Sequence, residues 1–392
     1  MYRLVFISLF SLPSFSTQSY QEILDKALQK NITLQIAQRK ESIIALEGKI
    51  ETRRKNPNLE LEVSDFLELD RNRFGAINDF GLRAGVSQEL LLPKVKKEIE
   101  HLTQAKMGVA KENYTLLKSE FIYQFTLKYL AYRNALKKES FLEEALHISN
   151  EILETVKIRY EHGAVPQSEF LQSRLDTRQL LNRIDELRLE TSTKRDDFLL
   201  FANIQQNIDI DEGYVVHLKK SSWRDPFKKL KVQEERLSTA TLKRLSHTIE
   251  MIELFSEIEK EPQEDIFRVG ISVPLPLYNT KSQERALAKI ARSTQIAKQE
   301  SREYLVGIRL QQLKKKQKQI KETKEQYQKR LDEQEQLFEM YKQGYDFAKV
   351  NLFKLQESQK RMVEIQERLS LLEMRYEKNI VTINYLKGAY HE

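Results

Sequence analysis

Apolar and polar positions recur along this chain with two periods, and the switches between them mark its elements. From Tyr20 to Lys55 the spacing of Ile23, Leu24, Ala27, Leu34, Ala37 and Ile44 is helical, and Pro57 ends the run. The period then drops to two. Leu59, Leu61 and Val63 alternate with Glu60, Glu62 and Ser64, and the alternation continues to Leu69. Phe80 to Ser87 alternates in the same way, with Leu82, Ala84 and Val86 in one phase. Such a pattern places one face in an apolar medium and the other in water. Residues 71–79, with Asn72, Gly75 and Asn78, read as the turn between two strands at about 58–69 and 80–91. Each strand has about the ten residues of a tilted membrane-spanning β-strand.

Pro93 closes this hairpin, and a helix is expected from Lys94 to Tyr160. At 1.5 Å per residue it would extend roughly 100 Å. Leu102, Val109, Leu116, Tyr123 and Leu130 fall seven apart, predicting a narrow coiled-coil seam. Tyr160-Glu-His-Gly163 then interrupts the helix, and a second helix runs on to about Phe201. A Gly that stops one helix, followed at once by a restart, describes the tip of a helical hairpin. Residues 204–222 are irregular, and Trp223, Asp225 and Pro226 restart a helix.

The same order then returns. Phe267, Val269, Ile271, Val273 and Leu275 alternate with more polar positions and predict a strand at about 266–277. A weaker partner is expected at about 247–258, with residues 257–265 as their turn. A helix from Lys281 to Met340 leads to a second tip at about 341–353, Tyr341-Lys-Gln-Gly344, and a last helix from Phe347 to Leu386. There Met362, Ile365, Leu369, Leu372 and Tyr376 keep three-four spacing. Gly85 and Gly270 stand 185 positions apart, and Gly163 and Gly344 stand 181 apart. Two landmarks with nearly one offset argue for a tandem duplication: repeats over 17–203 and 223–392, joined by 204–222.

Composition agrees with long helices. Charged residues make up 31% of the 392 and there are only 11 Gly. The mean hydropathy is −0.58, too low for a large globular core. The 65 basic and 58 acidic residues leave +7, but acids interleave with bases and no basic block carries aromatics, so nucleic acid is not an expected partner. Lys314 to Lys318 reads as one solvated helix face. Absence of Cys excludes disulfides, thiol catalysis and Cys-ligated zinc. The histidines are scattered, with no metal-ligand spacing, and no phosphate loop or nucleophile motif occurs. No enzyme activity, cofactor or metal site is expected. Residues 1–16, with Arg3, the apolar run Leu4–Leu12 and Ser14-Phe-Ser16, read as an export signal.

Four strands from one chain do not close a useful barrel, and an open edge in lipid leaves backbone groups unpaired. Pooling the strands of three chains solves this with about twelve strands. Together these features resemble the outer-membrane efflux family typified by TolC. The resemblance rests on Tyr160, Gly163, Glu169, Leu171 and Gln172 in one half and Tyr341, Gly344, Leu355 and Gln356 in the other. The passages Gly85–Pro93 and Gly270–Lys281 are similar to the heavy-metal efflux branch. It implies a mainly α fold with a small β contribution, a duplicated helix-strand-strand-helix-helix unit, and a homotrimer whose 12-stranded barrel sits in the outer membrane of a diderm bacterium. It also implies a helical tunnel through the periplasm, docked on a periplasmic adaptor and an inner-membrane pump, for instance of the resistance-nodulation-division type. By this resemblance Tyr160, Gly163, Ala164, Val165, Tyr341, Gly344 and Tyr345 are adaptor-docking candidates, and Asp346, Lys349 and Glu357 are aperture candidates. Leu59, Leu61, Val63, Leu82, Val86, Val269 and Ile271 are expected to face lipid. A periplasmic adaptor and a soluble coiled-coil scaffold are the alternatives, and proteins exported by type I secretion are the alternative cargo.

Overall fold

The computed structural model describes residues 18–64, 81–205, 208–219, 226–260, 264–347 and 349–390. The expected export signal, the turn over 71–79 and the restart at Trp223 and Asp225 lie outside the described residues. The elements in order are α1 (Tyr20–Lys30), α2 (Ile32–Thr52), β1 (Asn58–Ser64), β2 (Gly81–Leu91), α3 (Pro93–Glu161), α4 (Gln167–Ala202), α5 (Pro226–Ser246), β3 (Met251–Lys260), β4 (Asp265–Ser272), α6 (Ser282–Asp346) and α7 (Leu352–Leu386). The order α2-β1-β2-α3-α4 is thus followed by α5-β3-β4-α6-α7.

Several boundaries differ from the sequence reading. The single helix expected over Tyr20–Lys55 is two helices. Asn31 adopts an extended conformation, and its side-chain oxygen accepts from the Leu34 amide at 2.9 Å, capping a fresh start. β3 runs Met251–Lys260 rather than 247–258. β4 ends at Ser272, so Val273 and Leu275 are outside it. Pro274 and Pro276 bring no N–H to a ladder, which accounts for the early stop. The seven-residue seam on α3 is not its buried stripe: of those residues only Leu130 is buried. Burial concentrates instead around Phe121, Phe125, Tyr129 and Arg133, a helical face at four-residue steps.

The chain forms two compact units, and each draws on both halves of the sequence. The first comprises the described residues up to Gln35, Leu116–Pro226 and those from Leu305 onward. Its core at the level of α1 is aromatic. Tyr20 stacks on Tyr214 at 4.1 Å and meets Tyr129 edge-on at 5.2 Å, while Phe125 and Tyr129 both pack on Phe198. Inside this layer Arg133, only 2% exposed, pairs with Glu377 of α7 and donates to the Tyr214 carbonyl. Asn384 grips the same irregular segment from α7, donating to the His217 carbonyl and accepting from the Lys219 amide. A segment without secondary structure of its own is thereby fixed by side chains of α3 and α7.

The second unit comprises Ile36–Thr115 and Phe227–Tyr304, and holds the sheet. Its polar junction is Glu250, the residue before β3. The Arg244 guanidinium at the end of α5 donates to both carboxylate oxygens, at 2.5 and 2.7 Å, and Lys281 before α6 pairs with the same group. These partners, Arg244 first, hold the Glu250 carboxyl down to about 2, against the opposing cost of partial burial.

Candidate functional site: an apolar sheet face and two helical tips

The four strands form one antiparallel sheet in the order β1-β2-β3-β4, so β1 and β4 are its open edges. The register puts Leu59, Val86, Ser256 and Val269 in one row, and Leu61, Ala84, Ile258 and Phe267 in the next. Alternation then fixes two chemically opposite faces. One carries Leu59, Leu61, Val63, Leu82, Val86, Leu254, Ile258, Phe267, Val269 and Ile271, all exposed, with Leu61 and Val269 at 70%. The other carries Glu60, Glu62, Glu89, Glu253, Glu257 and Glu259 against Arg83 and Arg268.

The charged face is the organised one. Glu257 is buried at 8% and bridges Arg83 of β2 to Arg268 of β4; Arg83 also reaches Glu62, and Arg268 also reaches Glu259. Phe255 stands on this face too. A Cβ at Gly270, its partner across the ladder, would come within 2.4 Å of the Phe255 ring. The glycine makes room for an aromatic side chain laid over the strand. A sheet in water normally does the reverse, burying its apolar face and exposing its charges. Leaving these side chains in water forgoes about 1.5–3 kcal/mol for each, and a contiguous apolar surface of this kind marks a binding or membrane surface.

The first unit ends in the two helical tips. At the first, the Gly163 amide bonds to the Tyr160 carbonyl at 2.9 Å and the Ala164 amide to the Arg159 carbonyl at 2.8 Å. That is the Schellman closure of a helix, and it needs the left-handed φ of +70° that Gly163 adopts. Gly163 and Ala164 are exposed, Tyr160 and Val165 half-buried; Tyr160 stacks on Phe170 at 5.3 Å.

The second tip is built differently. Gly344 does not end α6, which continues to Asp346; the turn lies beyond it and α7 starts at Leu352, capped by Asn351. The Gly344 carbonyl accepts the Lys349 and Val350 amides, at 2.8 and 3.1 Å, and the Val350 side chain folds back onto the glycine. A Cβ at Gly344 would lie 2.5 Å from Val350. Its role is close approach, not helix termination. Tyr345 is buried at 3%, inside a cluster with Phe338, Leu352, Leu355 and Met362, so it is core rather than a docking surface. Tyr341 packs half-buried on that cluster. Phe347 and Phe353 are exposed instead, at 75% and 71%. Asp346 and Lys349 are exposed; Glu357 is partly buried and paired with Arg361 of its own helix.

The tips touch each other through Arg159. Its guanidinium lies over the Tyr345 ring at 4.2 Å and donates to the Asp346 carbonyl at 3.0 Å. Lys342 adds a pair with Glu151 at 3.2 Å. The structure thus brings Tyr160, Gly163 and Tyr345 into one end of the first unit, and places Glu357 further along α7.

No protein-family model and no curated sequence matches the chain. Solved structures do. The structure reported for CusC in a study of transmembrane channel formation covers 95% of this chain and 93% of its own, at 12% identity and a TM-score of 0.78. The Campylobacter jejuni CmeC outer membrane channel covers 94% and 85%, at 16% identity and 0.74. The open state of the Neisseria gonorrhoeae MtrE outer membrane channel covers 94% and 88%, at 13% identity and 0.74. The chain has the fold of an outer-membrane channel. The likeness covers 94–95% of this chain and 85–93% of those channels.

Within this fold, every strand residue expected to face lipid lies on the apolar face. That expectation omitted Leu254, Ile258 and Phe267. The β3 pair was readable from Glu253, Glu257 and Glu259 on the opposite phase. The inverted pair Phe255-Ser256 masked it: Phe255 sits on the charged face to cover Gly270. Among the described residues no three His, Asp or Glu side chains gather as a metal site, and no helix is long and apolar enough to cross a membrane.

Proposed function

We propose that the chain is one third of an outer-membrane exit duct. Three copies pool their strands edge to edge, β4 of one copy pairing with β1 of the next, to close a barrel of about twelve strands. The exposed apolar face meets lipid and the ion-paired face lines the lumen. α3, α4, α6 and α7 continue as a tunnel through the periplasm, and the tips meet a periplasmic adaptor that couples the duct to an inner-membrane pump. The single observation that carries this reading is the inversion of the sheet, charges organised on one face and apolar side chains bare on the other, between two open edges. A soluble scaffold gives that apolar face no purpose. The excess of carboxylates on the lumen-side face favours cations in transit.

The test is assembly and conduction. Extracted from membranes in a neutral maltoside detergent, the chain should run at three times its own mass. Reconstituted in planar bilayers, it should give discrete cation-preferring conductances that shift towards anions in the Glu257→Gln/Glu259→Gln variant. A monomer that stays in solution without detergent overturns the proposal.

A further inference from the structure

A cleft of about 550 Å³ opens in the first unit between α3, α4 and α7. Its size falls in the range of small-molecule sites. None of the features discussed so far uses it. Its floor is apolar, with Ala131, Ala135, Leu187, Leu371 and Met374. Its charges are unevenly matched. Glu367 is held by Lys138 and Arg183. Lys194 of α4 and Lys378 of α7 both line the cleft, half-buried, and neither ammonium has an acceptor among the described residues. The acids Glu190 and Glu364 are at the exposed rim. Asn134, 8% exposed, adds a side-chain amide nitrogen that has no partner.

Two half-buried lysines without counter-ions are a costly arrangement. Long cationic side chains normally carry their heads out to water or pair them. The Lys378 pKa is lowered, first by burial and then by the charge of Lys194. The cost of holding the two charges together is relieved by one ligand group: an anion set between them. The apolar floor beneath supplies the contact for the rest of such a molecule.

We infer that this cleft binds a small organic anion, a single acidic head on an apolar body, with Lys194 and Lys378 on the head and Leu371 and Met374 under the body. The inference does not depend on the chain forming a channel, since the whole cleft belongs to one compact unit of one chain.

The experiment uses 2-naphthoate as the probe, titrated calorimetrically into the full chain in neutral maltoside detergent. Saturable binding is expected, and it should weaken at least tenfold in Lys194→Met and in Lys378→Met. Lys378→Arg should stay within about threefold of the parent, as should Lys315→Gln on the exposed face of α6. The neutral 2-naphthamide should bind at least tenfold more weakly than the acid. Because Lys378→Met removes a charge repulsion, it should melt no lower than the parent, and 2-naphthoate should raise the melting temperature of the parent but not of the variant. The inference is overturned by any of three results: no saturable binding to the parent, equal affinity for acid and amide, or Lys378→Met binding as the parent does.

Discussion

Replacing Val269 with Arg separates a lipid-facing sheet from a solvated one. Val269 lies in the middle of β4 on the apolar face, beside Ser256, and is 70% exposed. An arginine there displaces no packed neighbour. In water such a surface change costs no more than about 0.5 kcal/mol. In a bilayer an arginine near the midplane of a barrel strand costs about 2–4 kcal/mol. That corresponds to a fall of roughly 30- to 700-fold in the folding equilibrium. The control is Ser272→Arg, on the same strand and the opposite, charged face, where the guanidinium meets water under either reading. The assay is reversible guanidinium unfolding of the chain folded into dilauroyl phosphatidylcholine vesicles, followed by far-ultraviolet dichroism. Val269→Arg should lower stability by at least 2 kcal/mol while Ser272→Arg remains within about 0.5 kcal/mol of the parent. Equal stability of the two variants would refute the assignment of the faces.

Three further outcomes are expected. Arg133→Met should destabilise by about 3–5 kcal/mol, since it strands the partly buried Glu377, and adding Glu377→Leu should recover most of the loss in a denaturant melt; no recovery would mean the pair is not what holds α3 to α7. Gly344→Ala should cost about 1–3 kcal/mol through collision with Val350 and be largely rescued by Val350→Ala, a cycle that fails if Gly344 instead supplies backbone freedom. For Glu250 the folded pKa, about 2, lies below the unfolded value near 4.5. Its contribution is therefore complete above pH 4.5 and lost as the pH falls towards 2. Solvent screening at this partly exposed site reduces it to about 1 kcal/mol. Glu250→Gln should flatten the acid limb of a pH–stability curve in that window, and an unchanged limb would rule the contribution out.

The sheet was legible because period-two alternation is a property of single strands, and each lipid-facing candidate could be read without knowing its neighbours. What could not be read was pairing. The strand before Phe267 reads weakly because Phe255 lies on the charged face, and its reason, the space left by Gly270, lies across the ladder. The same limit explains the second tip. Tyr-x-x-Gly reads alike at Gly163 and Gly344, yet only Gly163 takes the left-handed conformation. Gly344 stays helical because the chain closes later, by seating Val350 against it. Arg133 was invisible for a third reason. An arginine on a long charged helix reads as solvated, and only the fold brings Glu377 and the Tyr214 carbonyl round it.

The unequal tips are also linked, and that link is testable. At the end of α6 the Phe347 amide reaches the Gln343 carbonyl at 3.2 Å, and the Gly344 carbonyl takes the Lys349 and Val350 amides. Arg159, from the helix of the first tip, adds to these by stacking on Tyr345 and donating to the Asp346 carbonyl. A partly desolvated cation–π contact contributes about 1–2 kcal/mol and a charge-assisted bond about as much. Arg159→Gln forfeits the stacking charge and leaves at most a neutral bond, a local loss of about 1–3 kcal/mol. Amide exchange at Phe347, Lys349 and Val350 should then accelerate by roughly 5- to 150-fold. Exchange at Ile152 and Val156, seven and three residues before Arg159 and inside the packed cluster, should stay as it was. Acceleration at both places would mean that Arg159 holds the whole helical end, and no acceleration at Phe347 would mean that the two tips are independent.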